Sequence, residues 1–177
     1  MVFKELQLPL MVLKMTELDL IKNAEKAVAL LKEKNKTLAL AESCTGGWLS
    51  KIITDVSGAS AVYQGGVCSY SNQVKMNILG VKEETLSSYG AVSEQIAIQM
   101  AEGVRKALNS DIGIGITGIA GPLSDNTAKP VGLIYVAIAD ERKTLCTELR
   151  NNFTENIRLQ NRLSAVETAL NLLGDIK

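Results

Sequence analysis

The sequence contains no histidine, and this absence excludes two common kinds of catalytic site. Serine and cysteine hydrolases often use an imidazole to take the proton of the nucleophile, and histidine is a frequent ligand of catalytic metals. Any nucleophile in this chain therefore needs a base of another kind. The Asp and Glu residues show no clustered ligand spacing either, so we expect no metal and no other cofactor.

Cysteine is scarce, and its spacing argues against both zinc binding and disulfide bonds. The three residues Cys44, Cys68 and Cys146 are odd in number and far apart, with no CxxC pair. Small secreted domains held together by disulfides carry more cysteines, usually in even numbers. We therefore expect a reduced, cytoplasmic setting.

Neither sign of charge is in excess, because 19 Lys and Arg residues balance 19 Asp and Glu residues. Proteins that bind the nucleic-acid backbone generally carry a basic face or stripe. The balance therefore predicts no nucleic-acid partner. It is compatible with a local basic pocket for one phosphate group, since net charge does not describe how charges are distributed.

Long hydrophobic runs are absent as well, even in the apolar N-terminal segment. Residues 1–15 are too short to span a bilayer and lack the small-residue cleavage site of a signal peptide, so we expect no membrane association. Their alternating pattern predicts a strand or an extended N-terminal arm, unless translation starts at Met11 or Met15. The apolar residues are Leu6, Leu8, Leu10, Met11, Val12 and Leu13, interrupted by Lys4, Glu5, Pro9 and Lys14.

The chain does contain enough apolar material for one globular domain over residues 16–177, since 46% of its residues are apolar and 21% are charged. Apolar runs of strand length alternate with helical patterns. This alternation predicts an α/β fold, a three-layer α/β/α sandwich with a mixed, mostly parallel sheet of five or six strands. The predicted strands are 37–41, 61–70, 112–116, 131–139 and 143–149. The predicted helices are 16–35, 48–54, 72–79, 93–108 and 154–173, the first opened by a capping box of Thr16 and Asp19. Gly113 and Gly115 predict a strand that lies very close to a neighbouring element.

Ser43 is a candidate nucleophile because it stands in a glycine-rich turn between a predicted strand and a helix. The backbone N–H groups of Thr45, Gly46 and Gly47 follow it, and such donors can stabilise an oxyanion or hold a phosphate. The alternative is that Ser43 only caps the helix. Cys44 is a rival nucleophile, although we expect it to be a small buried apolar residue.

Lys75 is the candidate base, since a serine hydroxyl needs one at neutral pH. It lies at the start of a short predicted helix just after a buried strand, and both the helix dipole and desolvation disfavour the ammonium form. Tyr70 can relay a proton or fix the lysine amine, and Glu42 can orient Lys75 or cap the neighbouring turn. The alternative is a solvated lysine beside a half-buried tyrosine.

Candidate phosphate and ribose contacts come from turn position and charge. Thr117 and Gly118 are candidates because they lie in the turn after the predicted strand 112–116. Lys129 and Arg158 are candidates because their positive charge can bind a phosphate. Arg158 and Arg162 are spaced four residues apart on the last predicted helix. This pair is either a solvated face or a bidentate phosphate contact.

Several motifs occur together, in order, from about residue 20 to the end of the chain. They are 41–47 (AESCTGG), 65–67 (GGV), 70–72 (YSN) with Lys75, 80–81 (GV), 90–94 (GAVSE), 117–122 (TGIAGP) and 129–132 (KPVG). In this order and spacing the chain resembles the CinA C-terminal-domain family. The larger family protein carries an additional N-terminal domain, and activities of that domain are not transferred to this chain.

The resemblance implies an enzyme that hydrolyses the carboxamide of nicotinamide mononucleotide to nicotinic acid mononucleotide and ammonia without a metal. The family's serine, tyrosine and lysine fall on Ser43, Tyr70 and Lys75. The resulting hypothesis is that Lys75 takes the proton of Ser43 with help from Tyr70. The resemblance also implies a homo-oligomer, a dimer or higher, in which residues 6–13 can serve as an exchanged arm.

Two departures from the family pattern keep other functions open. The loop 123–126 (LSDN) stands where the family usually has more glycine, and the region after Phe153 lacks the usual Gly-Asp-Arg, so that Arg158 matches the family arginine only with one inserted residue. One alternative is an amidase for a different nucleotide or small amide. The other is a non-catalytic nucleotide-binding or interaction module.

Overall fold

The computed structural model describes residues 16–124 and 127–176. The predicted N-terminal arm at residues 1–15 lies outside these ranges, as do two residues of the loop 123–126. Within them the helices are α1 (Glu17–Glu33), α2 (Trp48–Thr54), α3 (Asn72–Leu79), α4 (Glu83–Tyr89), α5 (Glu94–Ala107) and α6 (Ile157–Gly174). The strands are β1 (Leu38–Glu42), β2 (Tyr63–Cys68), β3 (Ile112–Gly118), β4 (Leu133–Ala139) and β5 (Thr144–Arg150).

The five strands form one mixed sheet in the order β2-β1-β3-β4-β5. Strand β1 pairs in parallel with both β2 and β3, whereas β4 runs antiparallel to β3 and to β5. Four of the five strands therefore share one direction and only β4 is reversed. The predicted α/β fold with a mixed sheet is confirmed, and the sheet has five strands.

Helices cover both faces of the sheet because β1 and β3 are apolar on both sides. On one face, α1, α2 and α6 pack on Leu38, Leu40 and the isoleucines of β3. On the other face, α3 and α5 pack on Ala39 and Ala41. This double burial explains why β1 reads as a continuous apolar run rather than an alternating one.

The glycines of β3 allow α5 to lie against the sheet backbone. A Cβ atom at Gly113 would stand 2.1 Å from the carbonyl oxygen of Ala101, and one at Gly115 would stand 2.3 Å from that of Ala97. No side chain fits at such distances. The expected close approach at these two positions is confirmed, and the neighbouring element is α5.

Helix boundaries follow the local capping signals, with exceptions where those signals are weak. Thr16 and Asp19 form the predicted capping box of α1, and Gly80 ends α3 in the left-handed conformation with φ of 68°. Helix α4 was not predicted from the sequence, because it is short and no side chain caps its first turn. Helix α6 begins at Ile157 rather than near 154.

Strand β2 begins two residues later than predicted. A short 3₁₀ turn at Ala59–Ala61 takes up the start of the predicted segment, and the pairing with β1 then shifts register between Tyr63 and Gly65. Of the helices in the described ranges, none combines the length and the apolar character that a bilayer crossing requires.

Candidate active site

The candidate site lies where the parallel strands β1, β2 and β3 end. The turn after β1 carries Ser43, the connection after β2 carries Ser69 and Tyr70, and residues 119–122 follow β3. The carboxyl ends of parallel strands meet at one edge of a sheet, which is where α/β proteins usually bind their ligands. The first turns of α6 contact all three of these connections, through Arg158 and Arg162.

Ser43 is placed by the end of β1. Its backbone N–H donates to the carbonyl of Ile116 on β3 at 3.0 Å, which extends the β1–β3 ladder by one residue. The side chain is half-buried. Its Oγ lies 3.1 Å from the Nζ of Lys75, within hydrogen-bonding distance.

Lys75 is a fully buried lysine on α3, with 1% of its surface exposed. Its Nζ donates to the carbonyl of Ser69 at 2.7 Å and to Ser43 Oγ. Burial lowers the pKa of this amine, and the nearby thiols of Cys44 and Cys68 oppose the shift only in part. An amine with a lowered pKa is more often neutral, and a neutral amine can accept the proton of Ser43.

Glu42 holds the turn that follows the nucleophile. Its carboxylate is 1% exposed and accepts the backbone N–H groups of Gly47 and Leu49, both at 3.1 Å, and that of Ser50 at 2.8 Å. The Ser50 hydroxyl donates to it as well, at 2.7 Å. Of the two roles that the sequence left open for Glu42, the structure shows the capping role, here on α2.

The backbone N–H groups that follow Ser43 differ in whether they already have an acceptor. The N–H of Gly47 donates to Glu42, and that of Gly46 donates to the carbonyl of Ser43 at 3.0 Å, so both are engaged in this conformation. Among the described residues, the N–H groups of Cys44 and Thr45 meet no oxygen acceptor. Of the three predicted donors, Thr45 therefore has an N–H without a partner within the described ranges in this conformation, whereas those of Gly46 and Gly47 are engaged; the N–H of Cys44 is available as well.

The thiol of Cys44 is buried in the core. The side chain is 6% exposed, and burial raises the pKa of the thiol to about 12. A thiol with this pKa is protonated at neutral pH and is a poor nucleophile. The expectation that Cys44 is a small buried apolar residue is confirmed.

Tyr70 does not contact the lysine amine. Its ring is 62% exposed, and its hydroxyl accepts a hydrogen bond from Nη2 of Arg158 at 3.2 Å. The expected contact between Tyr70 and Lys75 is therefore not made in this conformation, and the Ser69 carbonyl fixes the amine instead. No side-chain pattern could have indicated Ser69, because it acts through its backbone.

Of the predicted phosphate contacts, Arg158 is the one that is exposed at the rim of the site. Its Nη1 donates to the carbonyl of Gly121 at 3.0 Å, so the guanidinium links the turn after β3 to Tyr70. The residue is exposed and leaves further N–H groups for a ligand.

The other predicted phosphate contacts are engaged within the protein. The Thr117 hydroxyl is buried and donates to the carbonyl of Ala91 at 2.8 Å, and Lys129 Nζ donates to the carbonyls of Tyr89 and Val92. Gly118 packs tightly on β4, since a Cβ atom there would lie 2.7 Å from Ile134. Thr117 and Gly118 belong to β3 rather than to the predicted turn after it. The Thr117 and Lys129 side chains are bound to the segment before α5. Thr117 directly follows Ile116, whose carbonyl accepts the Ser43 N–H.

Two further residues of α6 contact the site: Asn161, which was not predicted, and Arg162, which was considered only as a solvated residue or a phosphate contact. Arg162 Nη2 donates to the carbonyl of Thr45 at 2.7 Å, and its guanidinium lies over the ring of Trp48 at 5.0 Å. Asn161 is 1% exposed and donates to the carbonyl of Ala120 at 3.0 Å. In the sequence, only the four-residue spacing of Arg158 and Arg162 pointed to this helix. The structure shows that Arg162 packs against the turn that carries Ser43 and is not part of a solvated face.

The fold and the site together define an α/β protein in which a serine hydroxyl lies within hydrogen-bonding distance of a buried lysine amine. The model of the CinA C-terminal domain matches residues 21–176 of the chain. The chain belongs to this family.

Relatives and solved structures agree with this assignment. A protein named competence-damage inducible protein, from Thermoanaerobacter pseudethanolicus, is 50% identical over 155 residues, which cover 86% of this chain and 38% of the relative. A CinA-like protein from Thermotoga neapolitana is 47% identical over 149 residues, 82% of this chain and 36% of the relative. The chain thus spans well under half the length of these curated relatives.

Among solved structures, the competence/damage inducible protein CihA from Agrobacterium tumefaciens superposes with a TM-score of 0.83 at 35% identity. The match covers 92% of this chain and 97% of that one. The CinA superfamily protein KP700603 from Klebsiella pneumoniae gives the same TM-score at 30% identity, over 88% and 96% of the two chains.

Proposed function

We propose that this chain is an amidohydrolase that converts nicotinamide mononucleotide and water to nicotinic acid mononucleotide and ammonia. The observation that carries the proposal is the 3.1 Å contact between Ser43 Oγ and the buried amine of Lys75. A buried lysine beside a serine hydroxyl is a known solution for activating this nucleophile without histidine. The family resemblance supplies the substrate.

The first half of the reaction forms an acyl-enzyme. Lys75 Nζ takes the proton of Ser43, and the serine oxygen attacks the carboxamide carbon. The negative charge that develops on the carbonyl oxygen is stabilised by the N–H groups of Cys44 and Thr45, each donor being worth about 3–4 kcal/mol in a preorganised site. The Lys75 ammonium then gives its proton to the amide nitrogen as the carbon–nitrogen bond breaks, and ammonia leaves.

The second half uses the same amine on water. Lys75 takes a proton from a water molecule, and the hydroxide attacks the acyl carbon. Ser43 leaves with the proton that Lys75 returns, and the carboxylate product is released. The Ser69 carbonyl accepts from Nζ throughout, so the amine keeps its direction during both proton transfers.

The substrate phosphate is assigned to Arg158 in this proposal. The arginine is exposed beside Tyr70 and Gly121, and a guanidinium can bind a phosphate with two parallel hydrogen bonds. Thr117 and Lys129 act indirectly, by holding the loops that border the site.

A second candidate function is the hydrolysis of a different nucleotide amide or small amide. It is favoured by Leu123, which is 83% exposed just after the turn that Arg158 contacts, in a loop where the family usually has glycine. An apolar side chain at this position can select a substrate without a phosphate. A panel of nucleotide and free amides separates the two functions.

The deciding experiment incubates the purified protein with nicotinamide mononucleotide and follows ammonia and nicotinic acid mononucleotide together. We expect equimolar products from the wild type, none from Ser43→Ala, and a wild-type rate from the matched control Ser88→Ala on the exposed face of α4. Full activity in Ser43→Ala would refute the mechanism. Binding without ammonia release in a folded wild type would favour a non-catalytic module.

A further inference from the structure

Arg162 connects the last helix to the turn that carries the nucleophile. It lies on α6, and its Nη2 donates to the carbonyl of Thr45 at 2.7 Å across 117 positions of sequence. The same guanidinium stacks over Trp48, the first residue of α2, at 5.0 Å from the ring centre. One side chain therefore contacts both the turn 43–47, at Thr45, and the first residue of the helix that follows the turn.

Two adjacent glycines make the turn 43–47 flexible, so contacts from other elements are needed to fix its conformation. Gly46 and Gly47 both adopt positive φ angles, 62° and 90°, and glycine has the widest choice of backbone conformations. Inside the turn, the Gly46 N–H donates to the Ser43 carbonyl, and the Trp48 N–H donates to the Thr45 carbonyl at 3.2 Å. The Arg162 contact is shorter than either of these and comes from a rigid helix.

We propose that Arg162 is a positioning residue that holds the Cys44 and Thr45 N–H groups in place to stabilise the oxyanion formed at Ser43. The proposal rests on the proposed function, because it needs Ser43 to act as the nucleophile. Arg162 does not touch the reacting atoms. It acts on the Thr45 carbonyl, and the orientation of this residue also fixes the direction of its N–H.

Charge adds to the effect of geometry. The guanidinium groups of Arg162 and Arg158 favour the charged form of the Cys44 thiol, which opposes the upward shift that burial causes in its pKa. Their positive potential therefore reaches the residue next to the nucleophile, where it also favours a developing oxyanion.

The contact is not optimised for stability alone. Among the described residues, Nε of Arg162 and the hydroxyl of Thr45 are buried and meet no hydrogen-bond partner. Buried polar atoms without a partner are rare, so each calls for an explanation, and a role in the site is one such explanation. An apolar side chain at position 162 would fill the same space without leaving an unpaired N–H.

The test measures how fast Ser43 is acylated by p-nitrophenyl acetate, a reagent that does not depend on which amide is the substrate. The variants are Arg162→Gln, Arg162→Lys and Arg162→Ala, with Arg142→Gln in the exposed β4–β5 turn as the matched control and Ser43→Ala as the background. Misplacement of a catalytic group by about 1 Å can reduce a rate about 100-fold. We expect Arg162→Gln to acylate about 100-fold more slowly than the wild type, and Arg142→Gln at the wild-type rate.

Two readouts separate positioning from a merely structural role. The midpoint of the pH–rate profile should not move in Arg162→Gln, because Lys75 remains the base. Added methylguanidinium should restore part of the rate in Arg162→Ala, since it can occupy the space between Thr45 and Trp48. Urea unfolding shows which variants are folded. If Arg162→Ala is not folded, the acylation rates of Arg162→Gln and Arg162→Lys, compared at equal stability, carry the test.

The outcomes distinguish this inference from the proposed function. If the wild type acylates and folded Arg162→Gln does so within twofold, or if rate loss only follows loss of stability without rescue, Arg162 is not a positioning residue. If the wild type acylates no faster than Ser43→Ala, the proposed function itself fails, and this inference fails with it.

Discussion

Replacing Lys75 by methionine removes the proposed base while keeping an unbranched side chain of similar length in the same buried space. The amine lies 3.1 Å from Ser43 Oγ and 2.7 Å from the Ser69 carbonyl. General-base catalysis by a positioned side chain contributes about 10²–10⁴-fold to a rate, or about 3–5 kcal/mol of activation free energy. We expect Lys75→Met to lower kcat/KM for ammonia release by a factor in this range.

The pH dependence of the rate gives a second check on the same residue. Because burial lowers the pKa of Lys75, the neutral amine becomes available below the pH at which an exposed lysine titrates, about 10.4. The wild-type kcat/KM should therefore rise with pH to a midpoint below that value. The Lys75→Met variant should lose this limb, whereas Lys106→Met on the exposed face of α5 should keep it.

Stability should change with pH in a defined direction. The pKa of Lys75 is lower in the folded protein than in the unfolded chain. At pH values between these two pKa values the unfolded chain binds more protons, so the free energy of unfolding rises with pH. Stability that depends on a neutral Lys75 is thus lost as pH falls through the folded pKa. Methionine removes this dependence but leaves the Ser69 carbonyl without its donor, which costs about 1–3 kcal/mol.

The reasoning is refuted by one clear result. A folded Lys75→Met protein that releases ammonia within threefold of the wild-type rate, with the same pH midpoint, would show that another group is the base. Urea unfolding, followed by circular dichroism at each pH, distinguishes a Lys75→Met protein that has lost only its base from one that has lost its fold.

Two further predictions concern the fold and the substrate. Gly115→Ala should lower the free energy of unfolding by about 1–3 kcal/mol or prevent folding, because its Cβ would lie 2.3 Å from the Ala97 carbonyl oxygen. Urea unfolding measures this change, and an unfolding midpoint equal to that of the wild type would mean that α5 does not lie so close to β3. Arg158→Ala should raise KM for nicotinamide mononucleotide about 10–100-fold while leaving that for nicotinamide riboside nearly unchanged, since a hydrogen bond to a charged group contributes about 1.5–3 kcal/mol. Equal effects on both substrates would remove the phosphate from Arg158.

Local sequence signals determined most of the elements of this protein. The capping box at Thr16, the apolar run of β1 and the glycine that ends α3 each depend on residues only a few positions apart. Such patterns are readable because a helix or a strand is built from neighbouring residues. Ser43 and Lys75 were also recognisable, one from its turn and the other from its place after a buried strand.

Tertiary structure alone decided which groups meet at the site. The Lys75 amine reaches Ser43 across 32 positions because β1 and β2 are neighbours in the sheet and end at the same edge. The partner of Tyr70 is Arg158 on the last helix, 88 positions away, and no local pattern specifies that pairing. Sheet order and helix packing set these distances.

The backbone donors depended on the three-dimensional structure in the same way. From the sequence, the N–H groups that follow Ser43 are equivalent, and only the position of the Glu42 carboxylate shows that Gly47 is engaged. The direction of Arg162 toward Thr45 follows from how α6 packs across the end of β1. The sequence by itself therefore determined the chemical groups of the candidate site, and the packing of elements distant in sequence decided which of them act together, because hydrogen bonds depend on distances that local patterns do not encode.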